Sequence, residues 1–277
     1  MTAIPTVTLN DGVLFPQLGF GTWDLRGPEC VTATRSAIAA GYRLLDSAVN
    51  YENEAQVGEA VRGSGVDRAD LLVTTKLPGR DHGFDHTLAS ARGSLERLGL
   101  DYIDLYLIHW PNPSVDKYLD SWQAMIRLRE EGLVRSIGVS NFTSTMLTRL
   151  IDATGVTPAV NQVELHPYFT QPELRAFHLE HGIRTESWSP LARRSELLTE
   201  QVVIDVAAAH GVSPTQAVLR WHIQLDSTPI PKSAHAGRQR ENADVFGFAL
   251  TADEMSALAG LQRGRLKGDD PDFHEEM

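Results

Sequence analysis

YRLLDSAVNYENEAQVGEAVRGSG (residues 42–65) joins a short apolar run to a segment of helical spacing that ends in glycines. YRLLDSA (42–48) reads as a short strand, while NEAQVGEAVRGSG (53–65) has helical spacing. Outward from this stretch the same unit repeats. Strand-like runs occur at LGFG (18–21), YRLLDSA (42–48), LLVTTKL (71–77), IDLYLIHW (103–110), VRSIGVSN (134–141), AVNQVEL (159–165), IRTESWS (183–189) and STPIPKS (227–233). Helical spacing separates them, and Gly41, Gly99, Gly132, Gly155, Gly182 and Gly211 stand where helix C-caps belong. Eight such strands alternating with helices predict an α/β fold, a (β/α)8 barrel; a doubly wound open sheet is the alternative. TVTLNDGVLF, with Asn10-Asp11-Gly12 at its centre, predicts a β-hairpin ahead of the first repeat.

With 277 residues, 42% of them hydrophobic and 22% charged, the chain reads as one globular domain over 1–277, with a polar and partly mobile tail at 263–277. A net charge of -11 argues against a nucleic-acid or anionic-membrane partner, though not against a small anionic ligand held locally. The N-terminus lacks the basic and apolar regions of a signal peptide, and no apolar stretch nears the ~20 residues that span a bilayer. A cytoplasmic location is expected. Cys30 is the only cysteine and has no intrachain partner; it reads as a packed thiol near a helix start.

A barrel keeps its chemistry at the C-terminal ends of its strands. Asp46, Lys76, His109, Ser140, Asn141, Gln162, Trp188 and Lys232 all lie at or near predicted strand ends, and Tyr51 follows one closely. Asp46, Tyr51, Lys76 and His109 together supply an acid, a phenol, an amine and an imidazole. A phenol with a pKa near 10 is a poor proton donor at neutral pH. An ammonium about 4 Å away attracts its anion by roughly 4 kcal/mol at an effective dielectric near 20, before desolvation is counted. Lys76 is expected to act on Tyr51 in this way, with Asp46 keeping the ammonium charged and His109 orienting a carbonyl oxygen.

Other chemistries fit less well. A metal site needs several converging ligands, and no metal is expected; the strongest candidate pair is Glu164 with His166. His178 and His181 read as solvated positions on an outer helix. No serine occupies a G-x-S-x-G elbow, and GFG at 19–21 lacks the third glycine of a dinucleotide fingerprint.

GFGTW (19–23), LLDSAVNYENE (44–54), TTK (74–76), DLYLIHWP (104–111), GLVRSIGVSNF (132–142), NQVELHP (161–167), SWSPLARRSELL (187–198) and IPKS (230–233), in this order, closely resemble the aldo-keto reductase superfamily over nearly the whole chain. The resemblance implies a (β/α)8 barrel whose bottom is closed by the N-terminal hairpin, NADPH/NADP+ as cofactor, and hydride transfer to an aldehyde or ketone. Asp46, Tyr51, Lys76 and His109 match the catalytic tetrad. The implied cofactor contacts are Gly21, Thr22, Trp23, Asp46, Ser140, Asn141, Gln162, Trp188, Ser189, Pro190, Leu191, Ile230, Pro231, Lys232, Ser233, Arg238, Glu241 and Asn242. Within that set Ser140, Asn141 and Gln162 would hold the nicotinamide carboxamide, and Trp188 would stack on its ring. Lys232, Ser233 and Arg238 would hold a 2′-phosphate, which favours NADPH over NADH.

The implied substrate contacts are Trp23, Tyr51, His109 and Trp110. A finer resemblance in NYENE and HWPNPSV implies a keto sugar acid such as 2,5-diketo-D-gluconate, reduced to 2-keto-L-gulonate. Small aldehydes and dicarbonyls such as methylglyoxal are the alternative, and an NADPH-sensing binding module is the alternative from another class. The loop LPGRDHGFDH offers Arg80 and His82 as partners for a substrate carboxylate, but is expected to be solvated. The short tail predicts an open pocket, and a monomer is expected.

Overall fold

The computed structural model describes residues 3–193, 195–266 and 269–276; Arg194 of the SPLARR run and Lys267, Gly268 and Met277 of the predicted tail lie outside them. The hairpin strands are β1 (Thr6–Thr8) and β2 (Leu14–Pro16), antiparallel with Val7 opposite Phe15. Eight parallel strands follow: β3 (Phe20–Gly21), β4 (Leu44–Asp46), β5 (Leu72–Leu77), β6 (Ile103–Ile108), β7 (Val134–Ser140), β8 (Val160–Glu164), β9 (Arg184–Trp188) and β10 (Ser227–Pro229), hydrogen-bonded in chain order. The sheet curls until its ends meet, where Gly19 N–H donates to Pro229 O at 3.0 Å and Gly21 N–H to Pro231 O at 3.2 Å. A Cβ on Gly21 would stand 2.8 Å from the Ile230 carbonyl oxygen, so the seam closes only around a residue without a side chain.

All eight strands fall inside the predicted runs. The helices are α1 (Gly27–Ala39), α2 (Glu54–Arg62), α3 (Phe84–Leu98), α4 (Tyr118–Glu130), α5 (Ser144–Thr154), α6 (Pro172–Glu180), α7 (Gln201–His210), α8 (Pro214–Gln224), α9 (Ala236–Ala243) and α10 (Ala252–Ala259). The six glycines expected at helix ends all have positive φ. Local chemistry sets several starts: Thr143 accepts from the Met146 amide, and Ser213 with Gln216 and Thr251 with Glu254 form capping boxes.

Strand alternation divides the core. In β6, Leu105 and Leu107 point into the barrel, where they pack with Leu44, Leu72, Val160 and Ile230, while Tyr106 and Ile108 face outward onto buried helix residues such as Trp122 and Met125. Each large apolar side chain buried this way contributes roughly 1.5–3 kcal/mol. Leu9 and Phe15 of the hairpin join the inner cluster. Asp11 accepts from Ser136 Oγ at 2.6 Å and Asn10 donates to Pro158 O at 3.0 Å, which fixes the hairpin across the N-terminal ends of the strands. The opposite mouth is left to the βα loops.

Two histidines expected in solvent are buried. His178 is 1% exposed, its ring nitrogens each 2.9 Å from a polar partner, Asn161 Nδ2 and Thr185 Oγ1. Those partners stabilise a neutral buried ring, and burial pushes its pKa down to about 3. His181, one turn later, is exposed as expected. His82 is also buried, because the tail packs against its loop. Cys30 is packed in the core. No single helix among the described residues is long and apolar enough to cross a membrane.

Candidate active site

The period of two that sends Leu44 and Leu72 into the barrel also sends Asp46 and Lys76 inward at the upper ends of β4 and β5. Lys76 is fully buried, and its Nζ donates to Asp46 Oδ1 at 2.7 Å, to Ser47 O at 2.8 Å and to Tyr51 Oη at 3.3 Å. Tyr51 comes from a short turn after β4, and its ring meets His109 edge-on with centroids 5.7 Å apart. His109 follows β6. The four predicted residues therefore converge at one point of the mouth.

Electrostatics there differ from the simple expectation. Burial pushes the Tyr51 phenol up to about 12, against the pull of Lys76, so desolvation outweighs the nearby cation and Tyr51 carries its proton at neutral pH. Burial alone would lower the Lys76 ammonium, but Asp46 and then Tyr51 outweigh it and hold it at about 12.

Around this group the loops are pinned. Thr22 Oγ1 donates to Asp46 O at 2.8 Å, and Asn53 Nδ2 donates to Thr22 O and Leu25 O at 2.9 and 3.1 Å while its Oδ1 accepts from Ser47 at 2.7 Å. Asn53 had no part in the sequence reading, since an asparagine before a helix ordinarily reads as a cap.

Beside the group lie Ser140, Asn141, Gln162 and Trp188. Ser140 Oγ donates to Gln162 O at 2.8 Å, and Asn141, in the left-handed region at φ 63°, donates to His109 O at 3.0 Å and accepts from Trp188 Nε1 at 2.8 Å. Gln162 Nε2 donates both protons to carboxylates, Asp46 Oδ2 and Glu186 Oε2, each at 2.8 Å. Glu186 is fully buried, and burial followed by the charge of Asp46 pushes its pKa well above the usual carboxylate range. It is a site residue the sequence reading missed, although a residue two before Trp188 on a strand shares its face.

A second region continues from the mouth. Lys232 and Arg238 are exposed at the end of the β10 segment and in α9, while Ser233 and Asn242 are buried, Glu241 is half-buried and His235 is exposed. Neither Lys232 nor Arg238 has a carboxylate partner among the described residues. Gln239 ties α9 down, donating to Ala33 O at 2.9 Å and Ser233 O at 2.8 Å. Ser189 turns out of β9 at φ 49°, and the Pro190 carbonyl accepts from His222 at 3.0 Å, its ring kept neutral by burial. The Arg193 guanidinium lies 4.7 Å from the Trp23 ring centre and 5.6 Å from that of Trp188, bridging the two sides of the groove.

The tail is seated over the mouth, where an open pocket was expected. His274 lies on Trp110 with ring centres 4.1 Å apart, Glu275 Oε1 accepts from Ser114 N–H at 2.8 Å, and Glu276 exchanges hydrogen bonds with the Asn112 side chain. Glu276 Oε1 lies 2.8 Å from His109 Nδ1, and Asn50 also binds this carboxylate. Arg80 is exposed and donates to Asn50 Oδ1. A Cβ on Gly79 would fall 1.8 Å from the Glu276 carbonyl oxygen, so the tail's path depends on that glycine.

Glu164 and His166 are in contact at 2.9 Å, but Glu164 Oε1 also accepts from Leu266 N–H at 2.8 Å, and among the described residues no three His, Cys, Asp or Glu side chains converge as a metal site.

A family profile described as "Aldo/keto reductase family" matches residues 17–263. The chain is 69% identical, over the full length of both proteins, to 2,5-diketo-D-gluconic acid reductase B of Corynebacterium sp.. It is 47% identical to methylglyoxal reductase DkgA of Escherichia coli, over 98% of each chain. The crystal structure of a Gox0644 variant in complex with NADPH superposes with a TM-score of 0.94 at 42% identity, covering 99% of this chain and 100% of that one.

Proposed function

From its membership of the aldo/keto reductase family, we propose that this protein acts in the cell on a keto sugar acid of the 2,5-diketo-D-gluconate type. It is an NADP-dependent oxidoreductase that reduces a small-molecule carbonyl. The residues present suit the cofactor. Lys232 and Arg238 offer two cations without carboxylate partners to a 2′-phosphate, and Gln162 has its amide protons committed and its carbonyl oxygen available to a carboxamide. Ser140, Asn141 and Trp188 would hold the nicotinamide, and the Ser189–Leu191 turn would contact the pyrophosphate.

Bound NADPH supplies the hydride. Tyr51 gives its phenolic proton to the substrate carbonyl oxygen, and His109 orients that oxygen. The observation that carries the reading is Lys76 Nζ held 2.7 Å from Asp46 and 3.3 Å from Tyr51. A high phenol pKa keeps the proton on Tyr51 until charge develops on the substrate oxygen, and the adjacent ammonium then stabilises the departing phenolate. Asp46, through Lys76, keeps that ammonium charged. Trp23 and Trp110 supply the aromatic wall of the pocket, and the contacts of Glu276 with His109 and Asn50 mark a place where a carboxylate is accepted.

Likeness to a methylglyoxal reductase supports small dicarbonyls as the second reading. A sensor of NADPH would need the nucleotide groove without the assembled acid, so the tetrad speaks for catalysis. We read residues 1–277 as one domain working as a cytoplasmic monomer, with its charge of -11 disfavouring nucleic acid and anionic membranes.

The test is NADPH oxidation by purified protein with 2,5-diketo-D-gluconate and methylglyoxal in matched concentration series. Higher kcat/KM on the sugar acid is expected. Equal efficiencies would make the enzyme a broad reductase, and no oxidation of either despite NADPH binding would favour the sensor.

A further inference from the structure

Glu186 touches neither Tyr51, Lys76 nor His109, yet it lies in the same inward row. On β9 it is in register with Gln162 of β8 on one side and Thr228 of β10 on the other. Its Oε2 takes one amide proton of Gln162 and Asp46 takes the other, each at 2.8 Å. Two carboxylates at one amide nitrogen leave no ambiguity about which end of the amide is which, since an oxygen in that place would face two acceptors. Gln162 Oε1 is thereby turned away from both acids. Glu186 has no cation in direct contact among the described residues; the charged groups that act on it are Asp46 of β4, Lys76 of β5 and Arg184 of its own strand. Its Oε1 is buried without a hydrogen-bond partner among the described residues. That arrangement suits a neutral acid better than a buried anion.

We propose that Glu186 is a positioning residue that acts through Gln162, locking the Gln162 carbonyl oxygen toward the carboxamide N–H2 of the nicotinamide. The proposal rests on the NADPH reading above. Without Glu186 the amide of Gln162 keeps only Asp46 as a partner and is free to rotate. A second consequence follows from charge: when Glu186 ionises, a negative charge appears beside Gln162, next to where the nicotinamide would be held. The oxidised ring is cationic and the reduced ring is neutral, so NADP+ gains affinity relative to NADPH as pH rises.

The experiment measures NADP+ and NADPH dissociation constants by protein fluorescence, between about pH 6 and 9, for the wild type, Glu186→Leu, Glu186→Gln, Gln162→Ala and the Gln162→Ala/Glu186→Leu double variant. Glu186→Leu is expected to weaken NADPH binding about tenfold, as for loss of one aligned contact, and to add nothing once Gln162 is alanine. Glu186→Gln keeps an acceptor for the Gln162 amide, so it should retain affinity within roughly threefold. It should also abolish the rise in NADP+ preference with pH, a readout that general loosening of the barrel does not move.

An equal loss in the Gln162→Ala background, or a pH-dependent ratio unchanged in Glu186→Gln, overturns the proposal. The second arm stands even if Glu186→Leu fails to fold. Failure of the wild type to bind either nucleotide overturns the cofactor reading itself and is thereby distinguished from failure of this residue's role.

Discussion

The floor and the rim of the site are built by different rules. On the floor, Asp46, Lys76, Gln162 and Glu186 stand on four strands whose hydrogen-bond register fixes each inward side chain, and their contacts lie between 2.7 and 2.8 Å. On the rim, Trp23, Asn50, Trp110, Arg193 and Glu276 come from loops and the tail, and Asn112 and Glu276 meet across 164 residues of chain. A strand register cannot shift by one residue without turning every side chain to the opposite face. Loop contacts carry no such constraint, so the floor is suited to fixed reaction chemistry and the rim to the choice of substrate.

If this division is right, substitutions on the floor should damage turnover or folding and those on the rim should change KM. The largest effect expected is from Tyr51→Phe, a loss of roughly 10²–10⁴ in kcat with little change in NADPH affinity, read from steady-state kinetics and nucleotide titration. Near-normal turnover would remove Tyr51 from its role. Lys76→Met leaves Asp46 as a buried carboxylate without its cation, and chemical denaturation should register a destabilisation of about 3–5 kcal/mol. A stable, active Lys76→Met protein would show that the floor does not depend on its ion pair.

At the groove between floor and rim, Lys232→Ala should weaken NADPH by roughly 10- to 100-fold while sparing NADH, since only NADPH carries the 2′-phosphate. Equal loss for both nucleotides would place the phosphate elsewhere. On the rim, Glu276→Gln should leave kcat within about twofold and shift KM for an anionic substrate a few-fold, in line with a partly exposed charge contact. A collapse of kcat would place Glu276 with the floor.

The smallest effect expected concerns acid. Burial would raise the Glu276 carboxyl, but the attraction of His109 and the hydrogen bond of Asn50 hold it below its ordinary value. A folded pKa below the unfolded one gives stability that is present above the unfolded value of about 4.5 and lost as pH falls through the folded value. The contribution of the Glu276 carboxylate to tail anchoring should therefore be lost as pH falls below about 4.5, seen as a change in Trp110 fluorescence beneath His274. A change near neutrality would point to a different group.

The same division explains what could be read in advance. Asp46 and Lys76 were legible because an inward apolar residue two or four positions earlier sets their face, and Glu186 was open to the same argument from Trp188. The helix α10 announced itself by Thr251 and Glu254, whose capping-box spacing went unused. His178 and the tail were not legible by such means. Whether a polar ring is buried depends on partners such as Asn161 and Thr185 on neighbouring strands, and the path of Glu276 depends on Asn112 and on the absent side chain of Gly79. Periodicity records which way a residue points along its own element, but not what waits for it there.

The seam between Gly21 and Pro231 has a consequence for biosynthesis. The two edges of the barrel are separated by 210 residues, 231 less 21, so a chain emerging from the ribosome holds β3 with one edge uncovered until the last strand has been made. At about 5–20 residues per second that wait is on the order of 10–40 s. Throughout it the two-residue length of β3 presents a nascent chain with very little edge to pair wrongly.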